Sequence, residues 1–108
     1  MSHVTTHVLD AALGMPAPGV PVALSGPDGE VIAVSTTDAD GRITDLGPEL
    51  LPAGDYRLEF DTGGYFAAAG RTSFYPRVTI DFVLADTTAH YHVPLLLSPF
   101  AYSTYRGS

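Results

Sequence analysis

Glycine and proline interrupt this chain so often that a long helix has little room: its 108 residues include 11 Gly and 9 Pro. Proline lacks a backbone donor and glycine tolerates left-handed turns, so both mark reversals between short segments. The intervening segments alternate apolar and polar residues and are rich in Val, Thr, Tyr and Phe, as half-buried strands are. SHVTTHVLD reads as the first strand and AALGMPAPG as the loop after it. PDG turns VPVALSG into EVIAVSTT, and DADGR makes a tight turn with Gly41 at the positive-φ position. ITDL is a short fourth strand before the loop GPELLPAG, and DYRLEF is the fifth. Alternation fails in DTGGYFAAAG, where the Ala run predicts one short helix capped by Asp61 and ended by Gly70. YPRVTIDFVLA, HYHVPLLLS and AYSTYR bring the strands to eight. The expectation is an all-β, two-sheet sandwich with one short helix, forming a single domain over residues 1–108.

Alternation also sorts side chains by face. Val4, Thr6 and Val8 form the more apolar side of the first strand, against His3, Thr5, His7 and Leu9. In HYHVPLLLS, Tyr91, Val93, Leu95 and Leu97 read as core, while His90, His92, Pro94 and Leu96 point the other way. Ser103, Tyr105 and Gly107 share one side of the last strand. An outward face carrying Leu9, Pro94 and Leu96 among its histidines predicts a covering subunit.

Charge and composition exclude several functions. The net charge is −7, which argues against nucleic acid as a partner because phosphate binding needs a basic face. The five cationic residues are all arginines (Arg42, Arg57, Arg71, Arg77 and Arg106), so no lysine can form a Schiff base. Without cysteine there is no disulfide, thiolate nucleophile or thiolate metal site. The opening MSHVTTHVLD has no cationic stretch followed by an apolar one, and no apolar run approaches the ~20 residues of a membrane span. A soluble, cytoplasmic protein with no membrane partner is expected.

The residues able to carry chemistry are few. His7 reads either as a surface or capping histidine or as a base or ligand. His90 and His92 share a face and can both reach one ion, but no carboxylate at ligand spacing completes a site, so no metal is expected. Either can instead transfer protons. Arg42 follows the DADG turn, where Asp38 or Asp40 can pair with it. Arg57 and Arg77 read as surface or salt-bridge residues. In the terminal YSTYRGS, Gly107 permits close backbone approach and Tyr105 offers a phenol. No nucleophile elbow, P-loop or dinucleotide fingerprint appears, so no cofactor is expected.

TTHVLD, DADGR, HYHVPLLLSPFAYSTYRGS and its YRGS ending, taken in this order, resemble the 5-hydroxyisourate hydrolase family, the enzyme branch of the transthyretin-like proteins. The resemblance covers nearly the whole chain. YRGS is the part that separates the enzymes from the hormone-carrying transthyretins. The resemblance implies a transthyretin-like sandwich, with a homotetramer around a channel and sites at the subunit interface. By its motifs, the catalytic positions are His7, Arg42 and His92. The substrate-binding positions are His7, Arg42, Tyr105, Arg106, Gly107 and Ser108.

The implied reaction is hydrolysis of 5-hydroxyisourate, at a ring amide, to 2-oxo-4-hydroxy-4-carboxy-5-ureidoimidazoline in urate breakdown. The residue types suit it. A neutral imidazole can take a proton from water near neutral pH, and a nearby arginine keeps it neutral. An arginine fork can hold the tetrahedral oxyanion. The base is expected to be His92, with the reverse assignment to His7 left open. The alternative is a transthyretin-like carrier without catalysis, which needs an apolar channel. His, Arg, His and Tyr make a polar one.

Overall fold

The computed structural model describes all residues, Met1–Ser108. The strands are β1 (Val4–Asp10), β2 (Met15–Pro16), β3 (Pro21–Ser25), β4 (Val31–Thr36), β5 (Arg42–Ile43), β6 (Gly54–Phe60), β7 (Val78–Leu84), β8 (Tyr91–Ser98) and β9 (Ala101–Thr104). One helix, α1 (Thr62–Ala68), sits between β6 and β7. The expected all-β sandwich with a single short helix is the observed architecture.

One sheet runs β2-β1-β8-β9, with β5 also paired to β1; the other runs β4-β3-β6-β7. β2 and β5 pair with different stretches of β1, Leu9–Asp10 and Thr6–His7. All neighbours are antiparallel except β1 and β8, which run parallel from Val4 beside Tyr91 to Asp10 beside Leu97. The inner faces close on a core that includes Val4, Val8, Leu24, Leu58, Phe60, Leu84 and Leu95.

The strand count is nine rather than eight, because Met15–Pro16 inside the expected loop folds back beside Leu9 and Asp10. A two-residue strand leaves no alternation to detect. The last strand stops at Thr104, so Tyr105 and Arg106 lie beyond it. The helix forms where the Ala run predicted, with the Asp61 carboxylate accepting from Gly64 N at 3.0 Å. Gly41 has φ +74°, as its turn requires, and a side chain there would put Cβ 2.3 Å from the Val8 carbonyl.

Alternation assigned the core face of β8 correctly: Tyr91, Val93, Leu95 and Leu97 are all buried. It did not foresee what covers the opposite face. His3 is buried, with Nε2 donating to the Ala89 carbonyl (2.8 Å) and Nδ1 accepting from Leu51 N (2.8 Å). Pro94 is also buried, beneath the chain's own tail: a Gly107 Cβ would lie 3.1 Å from its ring. Its apolar surface therefore does not need a second subunit to cover it.

Asp10, wholly buried, joins the end of β1 to the segment after α1. It accepts from Arg71 Nη1 (2.6 Å), Tyr65 Oη (2.8 Å) and Leu13 N (3.1 Å). Burial pushes the carboxyl pKa up, but these hydrogen bonds and the guanidinium charge outweigh it and leave the group below its usual value. A depressed carboxylate stabilises the fold above the unfolded-state pKa, and that contribution is lost as pH falls through the folded-state pKa. Asp10→Asn leaves a half-buried guanidinium unpaired and is expected to cost about 3 kcal/mol in urea denaturation near neutral pH. The penalty should shrink as pH is lowered below the usual carboxylate pKa of 3.8. An equal penalty at all pH values would contradict the ion-pair account.

Candidate active site

The outward face of the first sheet gathers the polar residues that the sequence singled out. The parallel register sets Thr5 beside His92 and His7 beside Pro94. The antiparallel register sets Arg42 of β5 beside His7. Directly paired residues point to the same side, so Thr5, His7, Arg42, His90 and His92 share one face across three strands about 4.8 Å apart.

The DADGR turn explains the position of Arg42. Asp38 accepts backbone bonds from Asp40 N and Arg42 N, both 2.9 Å, and its own amide donates to the Arg42 carbonyl at 3.0 Å. The carboxylate is thus engaged with the backbone. The Arg42 guanidinium takes part in none of the ion pairs. Three other arginines are engaged: Arg57 with Asp81, Arg71 with Asp10, and Arg106 over the Tyr91 ring. Arg42 is therefore a free cation beside the imidazoles.

The two imidazoles that the sequence proposed are held differently. His7 is half-buried, and its Nε2 lies 2.9 Å from the Asp40 carbonyl. A carbonyl only accepts, so Nε2 carries the proton. His92 is half-buried too, with Nδ1 2.7 Å from Thr5 Oγ1. Burial pushes its pKa below the usual imidazole value, and Arg42, His7 and His90 push it further in the same direction. His92 is accordingly a neutral ring at neutral pH.

A cavity of about 340 Å³ opens here, lined by Thr5, Thr6, Arg42, His90, His92 and Ser108 together with Met1, Ile43 and Thr44. That is near the lower end of the volumes of small-molecule sites. A larger depression, about 640 Å³, lies on the other sheet, but its Arg57 and Asp81 are paired with each other.

The tail reaches this cavity through Gly107. Its amide donates to the His92 carbonyl at 2.8 Å, and a Cβ there would lie 2.6 Å from His92 Cδ2. Only glycine fits without moving the ring or the tail. Ser108 then lines the cavity. Arg106 turns away: its guanidinium lies 4.2 Å from the Tyr91 ring centroid and reaches the His90 carbonyl at 3.4 Å. Tyr105 is exposed and does not line the cavity in a single subunit. Within one chain, then, Arg42, His92 and Ser108 line the cavity, His7 beside Arg42 and Gly107 against His92 adjoin it without lining it, and Tyr105 and Arg106 lie outside it. Thr5 is the polar residue whose position could not be anticipated, because its contacts depend on a parallel pairing 87 residues away.

The model of the HIUase/Transthyretin family matches residues 4–107. A 5-hydroxyisourate hydrolase of Caulobacter vibrioides is 50% identical over 115 residues, covering all of both chains. The solved structure of the Klebsiella pneumoniae 5-hydroxyisourate hydrolase is 48% identical, with a TM-score of 0.90 over 97% of this chain and 98% of that one. Sea bream transthyretin in complex with thyroxine is 39% identical, with a TM-score of 0.90 over 96% of this chain and 93% of that one. The chain belongs to the HIUase/Transthyretin family. Within it, the sequence stands with the hydrolases, and the protein is an enzyme of that kind.

Gly107→Ala is expected to displace the tail from His92 and admit water to the ring. The His92 titration followed by NMR should then move up toward the usual imidazole value while the circular dichroism of the fold is retained. An unmoved titration would show that the tail does not bury the ring.

Proposed function

We propose that this enzyme hydrolyses 5-hydroxyisourate to 2-oxo-4-hydroxy-4-carboxy-5-ureidoimidazoline, in the cytoplasm, as a step of urate degradation. The observation that carries this reading is the convergence of an unpaired Arg42 and a neutral, partly buried His92 on one small cavity. Water is a poor nucleophile at neutral pH, and the unprotonated His92 nitrogen takes its proton as oxygen attacks the ring carbonyl. The carbonyl oxygen gains negative charge, which the Arg42 fork stabilises. The ring C–N bond then breaks, and the leaving nitrogen receives the proton that His92 took from water, while His7, its Nε2–H held by the Asp40 carbonyl, helps to orient the ring. Water supplies two protons: one ends on that nitrogen, and the other is released when the new carboxylic acid ionises. Ser108 lines the cavity and Gly107 packs against His92 beside it, and Tyr105 and Arg106 are proposed to meet substrate in the assembled enzyme.

The assembly is proposed to be a homotetramer with the sites between subunits. β9 is a sheet-edge strand whose four residues are all exposed, and such an edge offers unpaired backbone groups to a second copy. Leu9 and Leu96, half-buried on the outward face, extend the surface available for contact. A sedimentation measurement giving a monomer at assay concentration would remove this part of the proposal.

Ring opening is followed as loss of substrate ultraviolet absorbance on freshly made urate-oxidase product, corrected for the spontaneous rate. His92→Ala should lower kcat by roughly 10²- to 10⁴-fold. Arg42→Ala should lower it by about 10²- to 10³-fold, the cost of losing an oxyanion donor. Because the His92 pKa is depressed, kcat/KM should hold as pH falls through 6.5 and decline only below it. Removing Tyr105–Ser108 should keep the fold and lose most of the activity. Undiminished turnover by the Arg42 and His92 variants would overturn the mechanism.

A carrier role is the competing reading, favoured by the likeness to thyroxine-bound sea bream transthyretin. Thermal shifts with purine analogues and with aromatic hormones separate the two. Stabilisation by hormones alone, with no turnover, would favour the carrier.

A further inference from the structure

We propose that Thr5 is a positioning residue that decides which nitrogen of His92 is free to take a proton, and that the exposed His90 acts on His92 through the same hydroxyl. Thr5 is buried, and its Oγ1 lies 2.7 Å from His92 Nδ1 and 2.8 Å from His90 Nε2. It has no other side-chain hydrogen bond. A hydroxyl has a single proton to donate and two lone pairs. If both rings donate, that proton is left buried without a partner. If both rings present lone pairs, only one can be satisfied.

Two fully satisfied arrangements remain. In the first, His92 Nδ1–H donates to Thr5 and the hydroxyl donates to His90 Nε2. His92 Nε2 is then a lone pair, able to act as a base. In the second, His90 Nε2–H donates to Thr5 and the hydroxyl donates to His92 Nδ1. His92 Nε2 is then an N–H and cannot take a proton from water. An Nε2–H on His90 imposes the second arrangement: the hydroxyl turns toward His92 Nδ1, which gives up its proton to solvent while Nε2 takes one up. An exposed imidazole thereby sets the tautomer of a partly buried one. Arg42, His7 and His90 all act on His92, and Met1 and the chain-terminal Ser108 line its cavity. Glu49 lines the depression on the other side of His90, and Arg106 reaches its carbonyl.

The kinetic side of this inference rests on the proposed hydrolysis; the tautomer side does not. Histidine-¹⁵N NMR of the full chain at mildly alkaline pH should show His92 protonated on Nδ1 in the unaltered protein. Thr5→Val, which keeps the shape and removes the hydroxyl, should abolish that preference, and Thr5→Ser should restore it. His90→Phe, a surface change that leaves the fold intact, should also weaken it. In ring-opening assays, Thr5→Val should lower kcat by roughly 10- to 100-fold with KM little changed, and Thr5→Ser should recover most of it. The proposal is overturned if His92 keeps its Nδ1–H tautomer in both Thr5→Val and His90→Phe. It is equally overturned if Thr5→Ser is as impaired as Thr5→Val. Absence of turnover in the unaltered protein would refute the hydrolysis and leave the NMR result to judge the tautomer.

Discussion

The parallel ladder between β1 and β8 is the constraint on which the rest of the molecule depends. It joins residues near the two ends of the chain, with the whole second sheet between them in sequence. Its register is enforced by burial. Tyr91, Val93, Leu95 and Leu97 fill the inner face, so the intervening residues must face outward. A slip of one residue would drive His92 into the core and expose Tyr91. The hydrophobic effect therefore positions the candidate site indirectly: burying four apolar side chains turns His92 outward, to the face that Thr5 shares.

How much of this was legible in the sequence follows from the range of each interaction. The inner face of β8, the Asp61-capped helix and the positive φ of Gly41 all depend on neighbours within a few residues, and all were readable. Strand pairing is not local. Nothing in TTHVLD says that it will lie parallel to HYHVPLLLS, so Thr5 read as one more outward residue. The same limit applies to covering. Alternation put His3 and Pro94 off the core face, but loops from elsewhere and the tail bury them. The grouping of His7, Arg42 and His92 was legible through family motifs, which carry long-range geometry that periodicity does not.

Arg42 and Arg77 enter no ion pair, and of the two only Arg42 lies beside the imidazoles. On a chain of net charge −7, most guanidinium groups find partners: Arg57 has Asp81, Arg71 has Asp10, and Arg106 lies on Tyr91. Asp38 beside Arg42 would be an obvious partner, yet backbone amides of the same turn occupy it. The turn thus holds Arg42 in place and keeps it unpaired at once. A cation left free beside a neutral imidazole suits a reaction that develops negative charge, and it is a poor lining for an apolar hormone.

The two imidazoles of the site are chemically identical and become distinct only through what holds them. His7 is tied to a backbone carbonyl, which accepts and never donates, so its Nε2 proton cannot be exchanged for a lone pair without losing the bond. His92 is tied to a hydroxyl, which can do either. A proton held in this way suits positioning, since giving it up would break the bond that holds the ring. A hydroxyl partner lets His92 present either nitrogen, so its tautomer depends on what else the hydroxyl bonds. This asymmetry is independent of any difference in pKa: the His7 tautomer is fixed by its partner, and the His92 tautomer is adjustable. In the proposed mechanism the buried Thr5 hydroxyl bears on the chemistry through the ring it touches.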